Sequence, residues 1–581
     1  MSDSIPEHSL NKLRTFGELL RFLRIRAGLT QTELSIAVGC SDAQISRLEQ
    51  DRRLPNVAAV EARFLPALSL GREPAARNRL LRLAEDALHK KADMIVEAHP
   101  TPAERTKSIA VLPFKDLTGD ADNEYFCDGL AEELLSALAK IRGLFVVARA
   151  SAFSFKGKDL DAREIGRRLG VDTLLEGSVK KSGPRLRISV QLINAANGFQ
   201  IWSERFERLM TDLFELQDEI TLAIISELKV ELLETDKQVL VRRHSSDLEA
   251  YNLYLKGRFY WAQRPQGINK AIEFFQLAID TDPRSALAQA GLADCYATLG
   301  SWENGSLPPI IAMAKARAAA NKAVELDERL AEPHATLAYR TTHHDWDWSI
   351  AEAQFQHALA LNPNYAVTHH WYSHYLMAMG RTEESLAQSK RCLELDPLDL
   401  VINIHMAWHY QFSRRYDEAI DQCHKTNDLL HPNSFWPPYF FAMAYQQQER
   451  LADAAREFQK AIEMSGSVTF TSAGLGHLYG CAGDSAKARR IFEELHQRSQ
   501  RTYVPAYDLA LVCVGLGWTD QAFEWLDKAH QERSGWLTYL GVEPRLDSLR
   551  MDPRFGEMLH RLRFPHIATA SASIPIRPPA L

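Results

Sequence analysis

A 34-residue period governs the second half of this chain. Pro363 and Pro397 stand 34 positions apart, and AIEFFQLAIDTDP, AEAQFQHALALNP and AAREFQKAIEMSG share one pattern, small-x3-aromatic-x2-Ala. Self-similarity at such a period marks stacked helical units, none of which can bury its apolar face alone. Ala271, Ala351, Ala454, Ala488 and Ala522 are small enough for two helices to approach closely. The bulky residue four positions later (Phe275, Phe355, Phe458, Phe492, Leu526) fills the groove between them. Pro283, Pro363 and Pro397 stop the second helix, because proline lacks the amide that would continue it. The pattern predicts about eight helix pairs over residues 249–536, the second with extra residues, SWENGSLPPII, between its helices. A chain of 581 residues is too long for one core, so other domains are expected before the repeats.

The period and its small, aromatic and proline positions resemble the tetratricopeptide repeat. That resemblance implies an α-solenoid whose first helices line a concave groove suited to an extended peptide or a partner helix. The first-helix side chains expected in the groove are Tyr251, Tyr254, Tyr296, His370, Tyr445 and Tyr479. Residues 537–581 are expected to form a C-terminal cap and then a disordered tail, since HIATASASIPIRPPAL has no core-forming pattern.

Ahead of the repeats the signals change to β. SIAVLPF and LFVVAR are short apolar runs, and in RLRISVQLI the residues Leu186, Ile188, Val190 and Leu192 alternate with Arg187, Ser189 and Gln191, the period of a half-buried strand. VKKSGPRLR supplies a hairpin turn, while NEYFCDGLAEELLSALAKI, DAREIGRRLG and LFELQDEITLAIISEL carry helical spacing. With the linker composition of HPTPAERTK before it, this predicts a small α/β domain over residues 106–235. Residues 106–232 resemble the TolB-amino-terminal-like domain, which occurs in bacterial regulators and beside adenylate-cyclase domains, with tetratricopeptide repeats following. In that family a winged helix or a cyclase domain often stands at the N-terminus. A different module stands here, so inherited cyclase activity is not expected.

That module occupies residues 1–95. Thr15–Glu18, Thr30–Glu33 and Ser41–Gln44 each have the hydroxyl-x-x-Glu/Gln form that satisfies the free amides of a helix start. The first helix places Phe16, Leu19, Leu20 and Leu23 on one face, the second Leu34 and Val38, the third Ile45 and Leu48, with Gly39-Cys40 forming a sharp turn between the last two. The stretch LTQTELSIAVGCSDAQISRLEQDRRLPN resembles the helix-turn-helix of Cro and phage repressors, the xenobiotic-response-element type. Over residues 14–70 the resemblance implies five helices, the third lying in the major groove of double-stranded DNA. By position, Asp42, Ala43, Ser46 and Arg47 would face base edges, Gln31 would meet a phosphate, Arg52 and Arg53 would follow the backbone, and Arg24 and Glu49 would form a buried ion pair. Arg47 is the strongest base reader, because a guanidinium presents two donors to guanine. Residues 1–70 hold nine Lys/Arg against eight Asp/Glu, a net charge of only about +1. Weak attraction to phosphate favours two copies on a palindrome, hence a homodimer.

The fold expected is therefore multidomain and mainly α: a five-helix helix-turn-helix domain, a small α/β domain and a C-terminal α-solenoid. Net charge is −7, which does not suit a chain coated throughout with nucleic acid. Seven scattered cysteines without C-x-x-C spacing suggest neither disulfides nor zinc, and no apolar leader or membrane span is evident, so a cytoplasmic location is expected. His343, His344 and Asp345, and His369 and His370, bring imidazoles near one another, but sequence neighbours point to different helix faces, so no metal is expected. Asp128-Gly129 reads as a plain helix start, and Gly515–Gly517 as a repeat turn. With no nucleophile-elbow, Walker or zincin pattern, neither a cofactor nor enzymatic activity is expected. The leading reading is a sequence-specific transcriptional regulator whose later regions sense a signal or dock a partner. The second is a repeat scaffold using the first module to dimerise.

Overall fold

The computed structural model describes residues 13–39, 42–51, 55, 60–68, 70, 73–84, 107–118, 123–230, 247–263, 266–301, 307–427, 433–466 and 468–565. The expected linker at 99–107, apart from Lys107, and the tail from 566 lie outside them. The chain divides into two compact units, residues 1–105 and 106–581.

Among the described residues the first unit is helical: α1 (Phe16–Arg26), α2 (Gln31–Val38), α3 (Asp42–Glu49), α4 (a π-helical turn Val60–Phe64 running into Leu65–Ala67) and α5 (residues 74–84). Thr15 with Glu18 and Thr30 with Glu33 form complete capping boxes, each closing two amides that the helix leaves unpaired. The third expected box begins at Ser41, outside the described residues. Gly39 ends α2 in the left-handed conformation, φ 69°, where a side chain would be strained. Phe16, Leu19, Leu20, Leu23, Leu34, Val38, Ile45 and Leu48 all enter one core.

In the second unit, β1 (Lys107–Val111), β2 (Lys115–Asp116), α6 (Glu124–Ala139), β3 (Leu144–Val146), α7 (Arg149–Phe153), α8 (Ala162–Leu169), β4 (Thr173–Ser182), β5 (Arg185–Asn194), β6 (Gln200–Leu209) and α9 (Leu213–Glu227) build a mixed sheet of order β3-β1-β4-β5-β6, with β2 on β4. β1 is parallel to β3 and β4, and β4, β5 and β6 run antiparallel. Leu186, Ile188, Val190 and Leu192 of β5 face the core shared with α6 and α9, while Arg187 on the opposite face pairs with Glu207 at 3.2 Å.

Among the described residues eight helix pairs follow. They are α10 (Leu248–Ala262) with α11 (Ile268–Thr281), α12 (Ala286–Leu299) with α13 (Pro309–Leu326), α14 (Ala331–Arg340) with α15 (Trp348–Leu361), and α16 (Ala366–Ala378) with α17 (Thr382–Leu395). Then come α18 (Leu400–Phe412) with α19 (Tyr416–Lys425), α20 (Trp436–Gln447) with α21 (Leu451–Ser465), α22 (Thr469–Cys481) with α23 (Ser485–Ser499), and α24 (Ala506–Gly515) with α25 (Thr519–Gln531). The five alanines of the repeat pattern and Phe275, Phe355, Phe458 and Leu526 are fully buried, while Phe492 is half-buried. Two 3-10 turns, Gly535–Tyr539 and Pro544–Leu549, and α26 (Pro553–Arg561) close the chain.

The α/β layer and the repeats share cores and polar seams. The sheet face under α6 and α9 is continuous with the first two repeats. Arg258 of α10 donates to Glu132 of α6 at 2.8 Å, Asn364 Nδ2 donates to the carbonyls of Ala139 and Leu144, and Asp396 accepts from the Ser151 amide at 2.7 Å. Inter-repeat turns are thereby held by the α/β domain through buried hydrogen bonds, whose loss would leave orphaned polar groups.

Candidate nucleic-acid interface

α3 is set against α1 by contacts that leave one of its faces outward. Ile45 and Leu48 are buried, and Arg47 between them is exposed. A Cβ added at Gly17 of α1 would lie 2.5 Å from the Leu48 carbonyl oxygen, so the two backbones touch at this point. Just past α3, Asp51 accepts the Gly17 amide at 2.7 Å, placing a carboxylate at the positive end of α1. Glu49 is the third anchor. Its carboxylate takes both Nε and Nη2 of Arg24, the second at 3.0 Å, and Arg24 Nη1 also donates to the Leu29 carbonyl at 2.8 Å. The hydrogen bond to Glu49 holds the Arg24 guanidinium above its ordinary range. Arg24 and Glu49 thus meet in the core as a bidentate pair.

The other residues expected at DNA are placed as follows. Ser46 is half-buried and accepts from Gln50 at 3.2 Å. Gln31 does not point away to solvent: its amide donates to Glu49 at 2.8 Å and completes the Arg24–Glu49 pair. Asp42 and Ala43 lie in the first turn of α3, with side chains outside the described residues, as are Arg52 and Arg53 altogether.

Two of the expected groove residues need correction. Tyr251 and Tyr254 face the α/β domain, where both are buried: Tyr251 accepts from Gln217 at 2.7 Å and packs edge-on to Phe214. Tyr296, Tyr445 and Tyr479 each lie under a cation from their own helix pair, Lys315 at 5.0 Å, Arg450 at 4.0 Å and Lys487 at 4.9 Å from the ring centroid. They close hairpins through cation-π contacts. His370 reaches the first helix of the next repeat, with Nε2 2.6 Å from Nδ1 of His405.

The face presented by the first helices of the third to eighth repeats is filled by the chain itself. Tyr539 hydroxyl meets His343 Nε2 at 2.8 Å and packs edge-on to Trp408, Arg545 donates to the Tyr439 hydroxyl at 3.3 Å, its carbonyl meets His477 Nε2 at 3.2 Å, and Trp536 stacks on Tyr507. Arg545 and Glu543 form a fully buried pair beside them, 2.7 Å apart. Periodicity arguments miss this segment because 3-10 turns carry no 3.6-residue stripe. Its density of Trp, Leu and Tyr was the available signal.

The remaining candidates resolve singly. His343 is taken up by Tyr339 and Tyr539, and His344 meets Asp345 at 3.2 Å. His369 is held between Gln388 and the Pro363 carbonyl. Asp128 lies inside α6, not at its start, and pairs with Lys156 at 2.7 Å. Among the described residues, no helix is long and apolar enough to cross a membrane.

Comparison with known proteins agrees with this architecture in its coarse features. Residues 15–77 match the family described as "Helix-turn-helix domain", and residues 105–223 match "HilA/YgeH-like transcriptional regulator, second domain". The chain thus combines a helix-turn-helix domain with a domain of transcriptional regulators. It is 36% identical over 247 residues to a Rhizobium meliloti (strain 1021) protein named "Putative adenylate cyclase 3", a match covering 42% of each chain. The matched part of the chain therefore spans 42% of that relative's length. Among solved structures it is similar to a tetratricopeptide repeat protein from Parabacteroides merdae (13% identity, 55% of this chain and 100% of that one, TM-score 0.29). It is also similar to Pseudomonas aeruginosa pilF (18% identity, 36% and 93%, TM-score 0.28).

The Rhizobium relative corrects one expectation. The chain was expected to be no enzyme, yet a relative of substantial identity carries an enzyme's name. Nucleophile-elbow, Walker and zincin patterns are contiguous in sequence, whereas a catalytic constellation can be assembled from side chains far apart, so their absence decides nothing.

Proposed function

We propose that this protein is a sequence-specific, DNA-binding transcriptional regulator of the cytoplasm, acting as a homodimer. The observation that carries the reading is the outward Arg47 on a short helix pinned by Ile45, Leu48 and the Arg24–Glu49 pair. In a helix-turn-helix the second helix of the motif enters the major groove through its N-terminal residues. Asp42, Ala43, Ser46 and Arg47 then face base edges, and Arg52 and Arg53 follow the phosphates. Gln31 steadies Glu49 and, through it, the angle at which α3 is presented. The likeness of residues 14–70 to Cro and phage repressors, and of residues 106–232 to TolB-amino-terminal-like domains of bacterial regulators, supports the same assignment.

The α/β domain and the repeats take the signal or the partner. A partner peptide reaches the first-helix face of the later repeats only when residues 535–549 leave it, so docking there competes with an intramolecular contact. The test is titration of the full chain on the duplex it selects from a random pool and on a scrambled duplex, over a salt series. Expected is tight, salt-dependent retention of the selected duplex and weak binding of the scrambled one; equal affinity for both overturns the reading.

A further inference from the structure

His370 and His374 stand one turn apart on α16, hence on one face, and His405 stands on α18, the first helix of the next repeat. The three rings converge. His370 Nε2 lies 2.6 Å and His374 Nε2 3.0 Å from the same atom, Nδ1 of His405, and the nitrogens of all three fall within 4.8 Å of one another. A ring nitrogen has either one proton or one lone pair, so it makes one well-directed hydrogen bond. Two further ring nitrogens aimed at it are the arrangement that lone pairs adopt around a shared cation.

We propose that His370, His374 and His405 form a site for a divalent transition-metal ion of the zinc class, linking the fourth and fifth repeats. Tetrahedral zinc with nitrogens at about 2.0–2.1 Å holds its ligand atoms about 3.3 Å apart. The two spacings to His405, 2.6 and 3.0 Å, are shorter than this by about 0.7 and 0.3 Å, and His370, half-buried, has room to adjust. Three imidazoles and no carboxylate select against magnesium and calcium, which need oxygen ligands. Three protein ligands leave a fourth position for water or for an acidic group of a partner. The site lies beside the turn that fills the first-helix face, with the His374 ring 6.5 Å from that of Tyr539.

The test uses the untagged full chain, freed of metal and titrated with zinc chloride alone. The unmodified chain should bind one more ion than His370→Ala, His374→Ala or His405→Ala, each of which should weaken the tight site more than tenfold. His369→Ala, one position along but held by Gln388 and Pro363, should leave uptake unchanged. Cobalt(II) on the unmodified chain provides a readout independent of how the variants fold: the intense visible bands of a tetrahedral ion should develop at one equivalent. Absence of those bands and of stoichiometric zinc uptake overturns the proposal, and so does equal uptake by His370→Ala and the unmodified chain.

Discussion

Arg47 projects from α3 between two buried residues, so its side chain can be changed without touching the core. If it reads guanine, Arg47→Ala should cost about 1–3 kcal/mol on the selected site and relax preference at one base pair, as measured by titration on singly substituted duplexes. A second residue-scale prediction concerns Asp508, which is buried on α24 and whose carboxyl burial pushes up to about 7. The folded pKa lies above the unfolded one, about 3.9, so stability falls as pH rises from about 4 through 7. Asp508→Asn should flatten that decline in denaturant unfolding of the full chain; an unchanged profile contradicts the assignment. At this scale the caps and apolar stripes of the first unit were legible, because a capping box and a helix face are local patterns. The bond from Gln31 to Glu49 was not, since it depends on how two helices meet. The meeting of His370, His374 and His405 was not legible either, because it joins an i, i+4 pair on one helix to a residue of the next repeat.

Helices are legible where apolar spacing is regular. The small and aromatic repeat positions are buried in eight pairs, because every repeat solves the same packing problem and so repeats its solution in sequence. Ala454 is fully buried where α20 and α21 meet. Ala454→Phe should overpack that contact and lower stability by about 1–3 kcal/mol in urea unfolding, whereas a neutral effect would mean the helices separate easily. The C-terminal 3-10 turns were not legible as groove occupants. The density of Trp, Leu and Tyr marks the segment as core-forming but does not say which first helices it packs against, and Tyr251 and Tyr254 are covered by the α/β domain.

At the scale of the whole molecule the chain forms two compact units. The first has its own capped helices and core. Residues 1–105 alone should therefore fold and bind the selected duplex, more weakly and with a shallower salt slope than the full chain if the second unit supplies dimer contacts. Equal affinity and equal slope would place dimerisation elsewhere. The central claim, that α3 delivers this regulator to particular DNA sequences, is tested most directly by mapping the genomic binding sites of the intact protein beside those of Arg47→Ala. The account predicts discrete sites sharing a two-fold symmetric sequence, weakened or redistributed in the variant. A map without enrichment above background, or one that Arg47→Ala leaves unchanged, would contradict it.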